Sequence, residues 1–232
     1  MQKLVYDGLQ RCPYLPGQVA RLPLYRQLVA LGPDLLDERL AQAERRVGNC
    51  TYRPSCPTCS ACEGLRVPVA EFNNTRSQRR VLGRCGNVTV DIGPADISDE
   101  RLGLFDRHKR GRGLSEEGEP LRDNSEYDGW LVRSCAFTIE MRYRIEGKLV
   151  GVGVVDVGRK ALSSVYFYFE PTQEISRLSL GVFSVLQEIK LCQQTGRDYL
   201  YLGLFVADCR HLAYKADFVP HERLQGGVWR RT

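Results

Sequence analysis

The chain has 232 residues, of which 43% are hydrophobic, 26% charged and 9% aromatic, with a formal net charge of +5. That length can bury a core without disulfides and the balance is that of a folded chain, so a small cross-linked scaffold and a largely disordered protein are both excluded. No run of about 18 apolar residues is present to cross a membrane. The charge is milder than that of a dedicated nucleic-acid binder, although compatible with a polyanionic partner.

The opening MQKLVYDGLQRCPYLPG lacks a basic segment followed by an apolar run, so the cytoplasm is the expected compartment. Nine cysteines there read as thiols or metal ligands rather than as disulfides. Up to about residue 65, Pro13, Pro16, Pro23, Pro33, Pro54 and Pro57 interrupt regular structure. One helix is predicted from Asp34, with Leu36, Leu40, Ala43 and Val47 at helical spacing, Pro33 before it and Gly48-Asn49 closing it. The loop that follows carries Cys56, Cys59 and Cys62.

From Leu65 the pattern is mixed. RVPVAEF predicts a short strand, residues 76–84 a helix, NVTVDI a strand and the segment from Ser98 a helix. Residues 111–126 are rich in glycine and charge and read as a mobile connection. FTIEMRYRI, the turn EGK and KLVGVGVVDVG predict a β-hairpin, and LSSVYFYF a third strand. GVFSVLQEIKLCQQ is an amphipathic helix and DYLYLGLFV a closing strand. A helix joining two strands implies a mixed sheet with a parallel crossover. This order matches the second half of the GNAT acyltransferase fold, in which the helix N-terminus after the central strand binds an anionic group. The predicted class is α+β (mixed α/β), with an N-terminal cysteine-containing region over 1–65 and a GNAT-like core over 66–232.

Cys56, Cys59 and Cys62 form C-x-x-C-x-x-C, whose spacing brings three thiolates to one centre, as in iron–sulfur proteins. Cys12, beside the turn PYLPG, is the candidate fourth ligand, because Cys85, Cys135, Cys192 and Cys209 lie in or beside regular elements. A 4Fe–4S cluster is the expected cofactor, with zinc or free thiols as the alternatives. Arg76, Arg79, Arg80 and Arg84 recur at helical spacing and present one guanidinium face, suited to phosphate or carboxylate. No acidic residue lies between Glu71 and Asp91 to balance them. In the tyrosine strand, alternation sets Val165, Phe167 and Phe169 on one face and Ser164, Tyr166 and Tyr168 on the other, the open face in this reading. Asp156, at the end of an apolar strand, is either a catalytic carboxylate or a strand-end turn residue.

Taken together, CPYLPG (12–17), YRP-x-C-x-x-C-x-x-C (52–62), RVPV-x-EF with RSQRR (66–80), LSSVY (162–166), SLG (179–181), YLYLG (199–203) and YKA-x-F-x-P (214–220) resemble the bacterial aspartate/glutamate leucyltransferases, relatives of the arginyl-tRNA-protein transferases. The resemblance runs nearly end to end. It implies an aminoacyltransferase that moves leucine from leucyl-tRNA to proteins with N-terminal Asp or Glu, creating a degradation signal. It also implies substrate binding by Arg76, Ser77, Gln78, Arg79, Arg80, Ser164, Tyr166, Tyr168, Gly181, Tyr214 and Lys215, with Asp156 as the catalytic carboxylate. Phe169-Glu170-Pro171 and Leu204-Phe205 depart from the family's YDP and from its aromatic pair after YLG, which leaves arginine as the alternative transferred residue. An acetyl-CoA-dependent enzyme would need Gly at Leu180, so no CoA is expected. A non-catalytic metal- or redox-sensing RNA-binding module is the reading from another class, and it leaves the C-terminal motifs unexplained.

Overall fold

The computed structural model describes residues 1–115 and 124–232. The N-terminal part forms β1 (Gln2–Tyr6), β2 (Leu9–Arg11), β3 (Val19–Arg21), β4 (Leu24–Gln27), α1 (Pro33–Ala41), β5 (Arg45–Val47) and β6 (Cys50–Tyr52). Four of its strands make one sheet in the order β1-β4-β6-β5, while β2 and β3 pair separately. The predicted helix is shorter than its apolar spacing suggested. Leu36 and Leu40 are buried as expected, but Ala43 takes a left-handed conformation (φ 58°) and the Glu44 N–H turns back to the Arg39 carbonyl. Val47 therefore belongs to a strand, and Gly48-Asn49 is the turn of the β5–β6 hairpin rather than a helix end. The turn needs glycine: Gly48 has φ 54°, and the Gly129 carbonyl occupies the place a Cβ would take.

The rest of the chain supplies β7 (Glu63–Pro68), α2 (Arg76–Arg84), β8 (Thr89–Pro94), α3 (Asp99–Gly111), α4 (Asn124–Tyr127), β9 (Thr138–Ile145), β10 (Lys148–Val157), β11 (Ala161–Phe169), α5 (Gln173–Leu178), α6 (Leu180–Gln194), β12 (Tyr199–Phe205), α7 (Arg210–Ala213), β13 (Glu222–Gln225) and β14 (Val228–Arg231). Eight strands form a mixed sheet in the order β14-β13-β7-β12-β11-β10-β9-β8. The predicted hairpin, third strand, helix and closing strand correspond to β9 through β12, with α6 as the parallel crossover. Of the connection expected over 111–126, Gly111 ends α3 and Asn124 begins α4. Residues 116–123 lie outside the described residues.

Helices cover both faces of this sheet. On one, α2 and α6 bury Val81, Phe183, Leu186 and Ile189 against Leu65, Val67, Leu162 and Leu200. On the other, Leu104 and Phe105 of α3 pack on Val152, Val154 and Tyr168. A third cluster seats Leu36 and Leu40 of α1 against Ala161 and Tyr201, which ties the N-terminal region to the large sheet. The ends of α2 and α3 follow from their caps. Thr75 and Gln78 close a reciprocal capping box on α2, and Ser98 caps α3 ahead of Asp99 and Glu100.

Two irregularities decide where the sheet opens. β11 pairs with β12 in parallel only from Ala161 to Ser163, after which the strands separate. Beside the separation, Val165 is an extra residue in β11, because Val154 faces Tyr166 while Val155 faces Ser164. A second register shift in β12 falls between Tyr201 and Gly203.

Candidate active site

The opening between β11 and β12 is the mouth of a cleft of about 1100 Å³. Its walls include Ser164 and Tyr166 from β11, Ser179 to Gly181 at the start of α6, Leu202 to Leu204 from β12, and Arg210, Tyr214 and Lys215 beyond it. Arg45 closes the floor. It reaches in from the β5–β6 hairpin, donating from Nη1 to Ser163 Oγ at 2.9 Å and from Nη2 to the Ser164 carbonyl at 2.7 Å. Gly203 makes room for it, since a Cβ there would stand 2.8 Å from the Arg45 guanidinium carbon. The mispredicted helix end hid Arg45, and no pattern in the sequence marks it as a cleft residue.

Among the described lining residues there is no Asp or Glu, whereas Arg45, Arg112, Arg210 and Lys215 all contribute cations. Lys215 Nζ donates to the Leu204 carbonyl at 2.8 Å. Desolvation, together with the Arg45 charge, lowers its pKa to about 7. The N-terminus of α6 also faces this space; Ser179 (φ 59°) makes no side-chain cap, and Gly181 opens onto an unfilled volume. A helix start among cations attracts anions.

Asp156 lies elsewhere. Its Oδ2 accepts from Arg46 Nε at 2.8 Å and its Oδ1 from Thr138 Oγ1 at 2.7 Å, with the Asp156 and Arg46 side chains 2% and 4% exposed. Both of its oxygens are engaged and it has no place on the cleft wall, so in this structure Asp156 anchors Arg46. Arg46 adjoins Arg45 in β5, so its pairing with Asp156 fixes the hairpin that delivers the Arg45 guanidinium.

The bulge at Val165 also changes the tyrosine strand. Phe167 and Phe169 face α6 as Ser164 does, whereas Val165, Tyr166 and Tyr168 pack toward α3. Tyr168 is fully buried, its hydroxyl 2.6 Å from that of Tyr127, so it is a core residue and not an open-face ligand. Tyr166 does line the cleft, as does Tyr214.

On α2, Arg76, Arg79, Arg80 and Arg84 are all exposed, while Gln78 and Val81 turn inward. Gln78 is spent on structure: Oε1 accepts from the Thr75 N–H, and Nε2 donates to the Asp217 carbonyl. Ser77 and Gln78 border a second cavity of about 600 Å³, which shares Val182 and Tyr214 with the cleft. Arg84 Nη2 donates to Ser179 Oγ at 3.3 Å, so the arginine face runs up to the start of α6.

The thiols form a looser group. Burial, then Cys56, Cys12, Cys59 and Cys209, raise the Cys62 pKa to about 12, which places all five within electrostatic range. Cys12 Sγ accepts from the Leu15 N–H at 3.4 Å. Among the described residues, however, no three His, Cys, Asp or Glu side chains are gathered closely enough to hold a metal ion. Tyr14, two residues from Cys12, lines the cleft.

Similarity to known proteins now bears on this geometry. The fold is similar to that of a domain assigned to the C-terminal part of a lysylphosphatidylglycerol synthetase from Agrobacterium fabrum, with a TM-score of 0.53 at 17% identity, covering 74% of this chain and 58% of that one. Sequence similarity is wider: the chain is 37% identical to the aspartate/glutamate leucyltransferase of Halorhodospira halophila (98% of this chain, 96% of that one) and 34% identical to that of Campylobacter jejuni (93% and 90%). That of Chromohalobacter salexigens is 32% identical (95% and 89%). These likenesses define the chain as an aminoacyltransferase. Residues 10–80 and 100–225 match the family models for the N terminus and C terminus of arginine-tRNA-protein transferase. The chain belongs to this family.

Proposed function

We propose that the protein transfers leucine from leucyl-tRNA to the α-amine of proteins that begin with Asp or Glu, marking them for degradation, on a GNAT-like core. The observation that carries this reading is a cleft lined by cations and aliphatic side chains, without a carboxylate on its described wall, in a member of this family. An arginyl side chain would find no anionic partner there, whereas a leucyl side chain suits Val182, Val185, Leu202 and Leu204. The acidic N-terminus of an acceptor suits the cations, and the exposed arginines of α2 suit the phosphates of the tRNA acceptor end.

The reaction is aminolysis of an activated ester, so positioning and stabilisation of the carbonyl oxygen do most of the work. Arg45 and the edge of β11 beyond Ser163 supply donors where the two strands separate. Residues 1–65 deliver Arg45 and Tyr14 to the cleft of the core formed by 66–232. In this reading Cys12, Cys56, Cys59 and Cys62 are thiols of the kind an iron–sulfur cluster or zinc takes, but as placed they are not gathered closely enough to hold one, so binding would require the two loops to close on it. Bound there, it would clamp the two loops and so hold Tyr14 in the cleft wall. Metal analysis and visible absorption of anaerobically purified protein test that assignment.

The central test mixes the purified protein with tRNA charged with each labelled amino acid and with peptides beginning Asp, Glu, Arg or Ala. Label passing from leucyl-tRNA to the Asp and Glu peptides alone is the expected result. Transfer from arginyl-tRNA would overturn the choice of leucine, and no transfer at all would overturn the activity.

A further inference from the structure

Behind the cleft wall lies a buried carboxylate. Glu188, on α6, is 1% exposed. Ser164 Oγ donates to its Oε1 at 3.3 Å and Ser184 Oγ donates to the same oxygen at 3.2 Å. Tyr143 Oη in turn donates to Ser184 Oγ at 3.0 Å. Glu188 Oε2 is buried with no partner. Ser164 and Ser184 line the cleft, whereas Glu188 does not.

Hydrogen-bond direction gives this chain a sense. Tyr143 donates to Ser184, and both serines donate to Glu188, so the one proton on Ser164 Oγ points at the carboxylate and its lone pairs are left for a donor in the cleft. An ammonium N–H is such a donor. Around Glu188, the titratable groups that sense its charge are Tyr143 of β9, Tyr214 after α7 and Cys192 of α6. None is a cation, and Oε2 has no partner to stabilise an ionised carboxylate, which is costly when buried. The group is consequently poised to take up a proton.

We propose that Glu188, acting through Ser164, is the proton acceptor that converts the acceptor protein's α-ammonium into the attacking amine. The step balances. The ammonium gives a proton to Ser164 Oγ as Ser164 passes its own to Glu188. The freed amine nitrogen forms a bond to the aminoacyl carbonyl carbon, and the ester C–O bond breaks. The second proton on nitrogen goes to the departing ribose oxygen, and Glu188 returns its proton to solvent by the same route. Burial moves the Glu188 pKa up to about 7, close to an α-amine at about 7.7–8.0, so the transfer is nearly level. Glu188 is thus a positioning and relay residue that works through Ser164. The proposal rests on the aminoacyl-transfer reading above.

The test is single-turnover transfer from leucyl-tRNA to an Asp peptide, followed across pH, with leucyl-tRNA binding measured in parallel. Because the relay lets the charged ammonium serve as substrate, the wild-type rate should fall only below pH about 7. Glu188→Gln should slow transfer roughly 100-fold at neutral pH and move that limb up to the amine's own pKa of about 8. Glu188→Asp should keep the limb near its wild-type position, Ser164→Ala should resemble Glu188→Gln in its pH profile, and both Glu188 variants should bind leucyl-tRNA as the wild type does. A wild-type limb in Glu188→Gln, or a limb that moves only in Lys215→Met, overturns the relay while leaving the transfer reading intact. A wild-type protein that transfers nothing overturns the transfer reading, and the relay with it.

Discussion

At the scale of single residues, the site depends on pairs that no local pattern announces. Asp156 and Arg46 are charged groups taken almost wholly out of water, and each is stable there because of the other. Asp156→Ala should therefore cost about 3–5 kcal/mol in urea unfolding, with a matching loss of soluble, active protein. Arg46→Ala should cost a similar amount. Gly203 is a different case, because its φ of 83° and the Arg45 guanidinium beside it forbid a side chain twice over. Gly203→Ala should lose about 1–3 kcal/mol and displace Arg45 from Ser163 and Ser164. Its transfer rate should then drop about as far as that of Arg45→Ala; a variant with normal rate and normal melting would refute the floor assigned to Arg45.

At the scale of elements, α2 was fully legible in the sequence. Its helical spacing and its lack of acidic neighbours are local properties, and the helix spans Arg76–Arg84 as expected. No ion pair among the described residues engages Arg76 or Arg80, so neither contributes much to stability. Arg76→Ala and Arg80→Ala should leave the urea midpoint within about 0.5 kcal/mol of wild type. Each should nevertheless weaken leucyl-tRNA binding and lower the slope of log affinity against log salt by about 1. The segment after α1 was not legible. Leu36, Leu40, Ala43 and Val47 continue a helical period, and nothing local marks Ala43 as the residue that turns left-handed. Packing of the β5–β6 hairpin, with Arg46 reaching Asp156, decides it instead.

For the whole molecule, two buried groups tilt stability in opposite directions with pH. Burial lowers the His108 pKa from 6.5 to about 4, so the unfolded chain takes up a proton that the folded one refuses. Stability is lost as pH falls from 6.5 to 4, by up to roughly 3 kcal/mol. Burial raises the Glu188 pKa from 4.5 to about 7, so the folded chain keeps a proton that the unfolded one has released. Here stability is lost as pH rises from 4.5 to 7, by a similar amount. Urea midpoints measured across this range should show His108→Gln flattening the acid side, while Glu188→Gln gains on the wild type as pH rises from 4.5 to 7. A Glu188→Gln variant whose difference from wild type is independent of pH would show that the carboxyl does not titrate there.

What the sequence determined by itself is what short-range chemistry determines: the class of sheet and crossover, the helices α2, α3 and α6, the arginine face, the spacing of the cysteines and the family resemblance carried by contiguous motifs. Tertiary structure alone decided which polar groups meet. The split between β11 and β12, the bulge that turns Ser164 toward Glu188 and Tyr168 into the core, and the arrival of Arg45 from a distant hairpin all arise from contacts between residues far apart in the chain. Alternation along a strand assigns faces only while the register holds, and a single unpaired residue reverses it. A charge acquires its role from its buried partner, which the sequence around it does not contain.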